Sequence, residues 1–420
     1  MEKVDAAAVA GVLKMGENIV EQLPKVLELD KEDCIQLRSL WENVFYEDSK
    51  AFTDYYFKEK AGRNHAFAIE ENSGAKQMDA MLYLSPYKMQ MRIGMSFLET
   101  TIDYVVGVAT RKERRHRGYM DTLLKTAFSY MYEKQRPFTF LTPANPDIYR
   151  PYQFSYIYDR TEYDAKPRKQ WGEILELQKR EIYAAQQQKS EIIIDQLQES
   201  DIAELAVFAE QWMEDGKDVF IKRNEEYFRT ILLEMQAQDG TVYVLKNSNN
   251  SQIEGYFLYT EEEKPSIQEV AAVGERTKNF LFEKNGIMKT KVEKKPIIMA
   301  RIIHVQTMLS MLRTADEEVM LTIEILDSLI PGNEGAWECY FGKAETRIER
   351  TSANVDCILE IDKMPSWIFG YASIEECFSF PRNGIESIEN NDTKKNKNAE
   401  VLCKLKKVTR LEHVCINEII

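Results

Sequence analysis

Cysteine and histidine are scarce in this chain of 420 residues, which has six of the first and four of the second. Cys34, Cys339, Cys357, Cys377, Cys403 and Cys415 form no C-x-x-C pair, and the histidines are equally dispersed. Neither a metal site nor a disulfide framework is encoded. Long apolar runs are also missing: no window reaches the roughly 18 unbroken apolar residues of a membrane span. Ala6 to Leu13 is apolar but short, and Glu17, Glu21 and Lys25 follow it rather than a cleavage site. That pattern argues against a secretory signal and for a cytoplasmic protein. Positive charge is outnumbered too. The formal net charge of −14 repels phosphate backbones, excludes nucleic acid as the expected partner and favours cationic ones.

What is present is an ordinary globular composition, 44% hydrophobic and 30% charged, on a chain too long for one core and suited to two or three domains. After a polar leader, Asp30 can cap a helix whose Leu37, Leu40, Trp41 and Val44 recur at helical spacing. Phe52, Tyr55 and Tyr56 suggest a second helix. Strand-like runs follow at His65 to Ile69, Met78 to Leu84, Lys88 to Ile93 and Ile102 to Thr110. Tyr119 to Tyr132 then places Met120, Leu123, Leu124, Ala127 and Met131 on one helical face, before a strand at Phe138 to Leu141. A strand, helix, strand crossover of this length implies a parallel pair in a mixed sheet.

A polar segment, Lys166 to Ser190, reads as a connection with an amphipathic helix. Beyond it, Glu191 to Ile194, a helix at Ile202 to Trp212, and strands at Thr241 to Leu245 and Glu254 to Thr260 repeat the coarse order of the first unit. The last third holds strands at Glu318 to Ile325, Trp337 to Phe341 and Cys357 to Ile361 and a helix near Met364 to Tyr371. Asn390 to Glu400 reads as a loop too polar to pack.

One segment carries chemistry. A strand ending Val106-Gly-Val-Ala-Thr110 runs through Arg111-Lys-Glu-Arg-Arg-His-Arg-Gly118 into an amphipathic helix. The first amides of a helix lack internal partners, and with the helix dipole they make an anion site suited to a pyrophosphate. Gly118 allows close backbone approach. Arg111, Lys112, Arg114, Arg115 and Arg117 concentrate positive charge in an otherwise acidic chain, which either a phosphorylated cofactor or a bare solvated turn accounts for.

Val108-Ala-Thr-x-x-x-x-Arg115-x-x-Gly118 resembles the acetyl-CoA motif of the GNAT acetyltransferases. Ile148-Tyr149-Arg-Pro-Tyr-Gln-Phe154 is similar to the I-Y-x-x-F-G-Y segment of the Eis (enhanced intracellular survival) acetyltransferases. Ile297 to Met308, with Trp367 to Tyr371 later, is similar to the sterol-carrier-like domain that closes them. The resemblance implies an α+β protein of tandem GNAT domains with mixed sheets: an acetyl-CoA-binding domain at 1–158, a second, degenerate one at 159–300, and a sterol-carrier-like domain at 301–420. It implies a homo-oligomer, a hexamer in relatives, and acetyl-CoA as cosubstrate.

Carried across, Val108, Ala109 and Thr110 fall on the strand facing pantetheine. Arg115, His116, Arg117, Gly118, Tyr119, Met120 and Asp121 fall around the pyrophosphate, and Ala144 and Asn145 at the acyl end. Tyr149 matches the general acid, and the terminal carboxylate of Ile420 the base. The acceptor implied is a cationic primary amine: an aminoglycoside, a polyamine or a lysine side chain. Ile419, however, stands where aminoglycoside-modifying relatives carry an acidic residue, and Glu47 and Asp48 are the candidate replacements. The motif also departs at Gln153, which stands where a glycine is expected and resists φ > 0. The competing class is a non-enzymatic acyl-CoA or lipid carrier, or an acetyl-CoA sensor.

Overall fold

The computed structural model describes residues 24–418, except position 31 and the stretches 71–76, 171–191 (within which 172, 173, 176 and 180 are described), 262–263, 282–287 and 382–390. Most of the helix expected in Lys166 to Ser190 lies outside the described residues, as do Ile419 and Ile420.

The N-terminal unit opens with β1 (Val26–Leu29), a 3-10 turn at Asp33–Leu37, α1 (Arg38–Val44) and α2 (Lys50–Tyr55). Asp30 enters this start through its carbonyl, which accepts the Asp33 and Cys34 amides, and no side chain caps the turn. Leu37, Leu40 and Trp41 are buried as the periodicity predicts. Trp41 stacks on Tyr56 at 4.3 Å between ring centroids. Three strands follow as a meander, β2 (His65–Glu70), β3 (Met78–Ile93) and β4 (Ser96–Thr110). Seven consecutive residues of β3, from Asp79 to Ser85, are buried, the pattern of a strand covered on both faces.

β3 was expected as two strands broken at Ser85-Pro86-Tyr87, yet it is one. β4 pairs with it throughout that stretch, including Pro86 with Asp103. On its other edge β2 reaches only to Leu84, and β8 (Val219–Ile221) begins opposite Met89. The Lys88 carbonyl accepts the Lys222 amide at 2.8 Å, so with a two-residue period Pro86 turns its nitrogen to that same edge, where the missing N–H costs no ladder bond.

Helix α3 (Tyr119–Glu133) buries Leu123, Leu124, Ala127, Phe128 and Met131, and β5 (Phe138–Leu141) follows. β4 and β5 are parallel, as expected of the crossover, but they pair only at Asp103 with Thr139 and Tyr104 with Phe140. The sheet continues through β6 (Ser155–Ala165) to β7 (Ile192–Gln196), β9 (Gly240–Asn247), β10 (Ile253–Thr260) and β11 (Ser266–Ala272), with α4 (Ile202–Gly216) and α5 (Glu225–Ala237) beside it. β12 (Met288–Ile302) lies between β5 and β6, antiparallel to both, so that one sheet runs through both units. It carries Ile297 to Ile302 of the stretch likened to a sterol-carrier domain. A separate five-stranded sheet, with strands at Thr346–Arg350, Gly335–Phe341, Val319–Leu326, Cys357–Glu360 and Phe378–Ser379, forms the last unit.

The loop expected at Asn390 to Glu400 is instead helical, over Asn391–Leu405. Its polar part reads as unable to pack, but Val401 and Leu405 are buried and anchor the helix, and Glu400 pairs with Lys404 one turn on at 3.4 Å. Among the described residues no helix is long and apolar enough to cross a membrane, and no cluster of histidine, cysteine and carboxylates could hold a metal.

Candidate active site

The site begins with a bulge. Between the pairs Tyr83–Val106 and Met81–Ala109, β4 spends one residue more than β3, and Gly107 sits there at φ 61°. A Cβ on Gly107 would lie 2.6 Å from the Trp41 ring and 3.0 Å from Tyr83, so only glycine fits the close approach of α1 to this strand. Past Tyr104, β4 and β5 part, leaving Val106–Thr110 without β5 as a partner. Val108 and Thr110 are half-buried on this splayed segment, whereas Ala109 is buried.

The chain then turns under restraint. The Arg111 amide donates to the Asp79 carbonyl at 2.9 Å and its Nε to the Met78 carbonyl at 2.7 Å. Arg114 faces the buried Asp79 carboxylate at 3.3 Å. Arg115 reaches back to the Thr110 carbonyl at 3.4 Å. Two of the five cations thus hold the turn against β3, while Lys112, Arg115 and Arg117 are exposed. His116 and Gly118 both take the left-handed conformation, at φ 64° and 76°, and Gly118 is the N-cap of α3. A Cβ on Gly118 would meet nothing within 4 Å. Open space, three exposed cations and the free amides of a 15-residue helix meet at one point. These residues fit the diphosphate of a CoA thioester.

Across the wedge, β5 gives way to a turn with Ala144 and Asn145 exposed, where Asn145 Oδ1 accepts the Asp147 amide at 3.0 Å. Tyr149 follows, half-buried and edge-on to Phe154 at 6.0 Å. Burial, with Tyr104 nearby, pushes its phenol up to about 12. Tyr152 is also raised, by burial and by Asp121 in the first turn of α3, which links this loop to the helix. Gln153, in the glycine's place, adopts φ 64° with both atoms of its side-chain amide held, Oε1 accepting from Arg301 at 3.1 Å and Nε2 donating to Ser328 at 3.2 Å. Arg301 also donates to the Tyr152 carbonyl at 3.1 Å.

The gap in β3 pairing opens into a cavity of about 180 Å³ that brings together Ser85–Lys88, Lys60 and Asn64 from the first unit, Ile221 and residues of α5 from the second, and Glu418. Lys60 and Glu234 form a buried ion pair at 2.5 Å, with Tyr55 donating to Glu234 at 3.0 Å. Burial alone would lower the Lys60 pKa, but Glu234 and the flanking tyrosines outweigh it and hold it well above the ordinary lysine value. Tyr87, also lining the cavity, is 6.3 Å from Tyr104 between ring centroids.

The C-terminal tail runs to the same place. Val414–Cys415 pairs in parallel with β8, and the fully buried Arg223 binds Glu418 at 2.5 Å and Glu269 at 2.9 Å. Glu418 is 4% exposed, and among the described residues its Oε2 has no hydrogen-bond partner. Ile420, expected as the base, lies outside those residues. Glu47 and Asp48 do not line the cavity; Asp48 accepts the Trp41 indole N–H at 2.8 Å. Lys60, Glu234 and Arg223 are what sequence reasoning missed. The available signal was Glu234 on the same helical face as Phe228 and Ile231, a carboxylate on an apolar stripe.

Residues 25–157 match the acetyltransferase (GNAT) domain family. No curated protein matches the chain. Solved structures match over most of its length. A conserved protein of unknown function from Enterococcus faecalis V583, a probable N-acyltransferase, has a TM-score of 0.69 at 15% identity, covering 94% of this chain and 100% of that one. A GCN5-related N-acetyltransferase from Anabaena variabilis gives 0.66 at 12%, covering 91% and 97%. Eis1 from Mycobacterium abscessus gives 0.58 at 12%, covering 86% and 94%. At such identities the likeness is one of fold. The splayed strand and the glycine-capped helix start thus lie inside the segment, residues 25–157, that matches the acetyltransferase (GNAT) domain family.

Proposed function

We propose that the protein transfers acetyl from acetyl-CoA to a primary amine held in the cavity beside Tyr87, with Tyr149 as the general acid. The observation that carries this reading is the wedge between β4 and β5, flanked by the Gly118 anion site on one side and Tyr149 on the other. Val108 and Thr110 offer backbone groups to pantetheine, the 116–121 segment with Arg115 and Arg117 holds the diphosphate, and Ala144 and Asn145 line the acyl end. When bound, acetyl-CoA supplies the thioester carbonyl that the amine attacks. Tyr149 keeps its proton through neutral pH because burial raises its pKa to about 12, so it is in the protonated form that a general acid needs as the thiolate departs.

The amine needs to lose a proton, and the tail is where we place the base. The resemblance gives that role to the terminal carboxylate of Ile420. A second reading gives it to Glu418, favoured by the unpartnered Oε2. For the chain as a whole we read a GNAT domain at 1–158, a degenerate one at 159–300 that walls the cavity through α5, and a sterol-carrier-like unit at 301–420 that delivers the tail.

Tyr149→Phe tests the reading. It keeps the ring against Phe154 and deletes the hydroxyl, so turnover should fall by roughly 10² to 10⁴ while acetyl-CoA affinity holds. Wild-type turnover in this variant would reduce Tyr149 to a packing residue.

A further inference from the structure

The charge of the cavity runs against that of the chain. Of a protein with net charge −14, the cavity draws four cations, Lys60, Arg63, Lys88 and Lys222, against three carboxylates, Glu226, Glu234 and Glu418. The carboxylates are largely engaged. Glu234 is held by Lys60 and Tyr55, Glu226 by Arg63 at 3.2 Å, and one oxygen of Glu418 by Arg223. One polar atom is left over, Glu418 Oε2, buried and without a hydrogen-bond partner among the described residues. A buried carboxylate oxygen in this state costs free energy that a bound donor recovers. The site therefore offers a place for one ammonium, not several.

Lys88 and Lys222 stand on the partly exposed side. The Lys88 side chain is 61% exposed and that of Lys222 29%, and they share one carboxylate, Glu99, at 4.0 and 2.8 Å. Glu210 also acts on Lys222, but neither carboxylate lines the cavity as the two ammonium groups do, so that side of it repels a second ammonium and attracts an anion. On the reading that this cavity takes the acceptor, we propose that the acceptor is an amine that also carries a carboxylate, its ammonium on Glu418 Oε2 and its carboxylate at Lys88 and Lys222. A polyamine or aminoglycoside brings several positive charges to a site with one vacancy for them.

A matched pair of amines separates the cases. γ-Aminobutyrate and putrescine each place four carbons between the reacting nitrogen and the second charged atom, a carboxylate oxygen in the first and an ammonium nitrogen in the second. With acetyl-CoA and a thiol-reactive dye reading CoA release, the expected kcat/KM for γ-aminobutyrate exceeds that for putrescine at least tenfold. The charge-reversed Lys88→Glu/Lys222→Glu variant should lose or invert that preference, and the neutral Lys88→Gln/Lys222→Gln variant should fall between. Equal or better use of putrescine, or a preference untouched by the variants, overturns the proposal. Transfer to neither amine with acetyl-CoA still bound by calorimetry overturns it too, while leaving the cofactor site intact. Failure to bind acetyl-CoA at all would instead remove the proposed function on which it rests.

Discussion

Glu234→Ala is the most demanding perturbation that the structure suggests away from the reacting atoms. Lys60 and Glu234 are 9% and 6% exposed in their side chains and 2.5 Å apart, so removing the carboxylate leaves an ammonium in a nearly closed site with the Tyr87 hydroxyl, at 3.4 Å, as the remaining partner. Breaking a buried pair from one side costs about 3 to 5 kcal/mol, because the surviving charge keeps its desolvation penalty without compensation. Replacing both partners with apolar groups of similar volume removes the penalty with the attraction, and such replacements are neutral or stabilising by about 1 to 4 kcal/mol. Glu234→Ala should therefore be strongly destabilised and Lys60→Met/Glu234→Leu should recover, in urea unfolding followed by the fluorescence of the five tryptophans. The pH dependence has a definite sign. The Lys60 pKa is raised in the folded state, so the contribution of the pair is fully present below the ordinary lysine value of about 10.4 and is lost only as pH rises through the raised one. Wild type should show no loss from this pair up to about pH 10. A Glu234→Ala variant destabilised by less than about 1 kcal/mol, or a double variant as unstable as the single, would refute the reasoning.

Gly118→Val places a branched side chain at φ 76° in the open space before α3, so acetyl-CoA affinity by calorimetry should drop at least tenfold; unchanged affinity would detach the basic turn from the cofactor. The Tyr149 phenol, raised by burial to about 12, should stay protonated across the assay range. The turnover profile should then show no falling limb assignable to it below about pH 11, and a limb near pH 10 that vanishes in Tyr149→Phe would contradict that. Appending a few glycines after Ile420 displaces the terminal carboxylate, whereas Glu418→Gln removes the other candidate base; whichever change abolishes turnover with acetyl-CoA binding intact identifies the base, and normal rates in both would place it elsewhere.

Much of the segment proposed to hold the cofactor was legible because it is local. The strand end at Thr110, the turn, Gly118 and the stripe of Leu123, Leu124, Ala127 and Met131 occupy a single continuous segment, and their placement follows from backbone geometry and helical period. The parallel return at Phe138–Leu141 came from crossover length alone. The split assigned to β3 failed for an equally physical reason. Proline reads as a break, yet Pro86 sits where β2 has ended and β8 has not begun, and a strand with one free edge tolerates it.

The cavity proposed for the acceptor was hidden because little local announces it beyond Glu234 on an apolar helical face. The rest appears only when the fold brings residues 60, 87, 234 and 418 to one cavity. Gln153 makes the same point from the opposite direction. Read alone, it replaces the residue that a left-handed turn prefers, at a conformational cost. The cost is real but is offset by bonds to Arg301, 148 residues away. Arg301 is itself fully buried and is fixed by Asp327 at 2.7 Å, so the last unit of the chain holds the loop that carries Tyr149. A departure from a motif therefore reports a change in what supports the geometry before it reports a change in the geometry, and here the support is the contact between the first and last units.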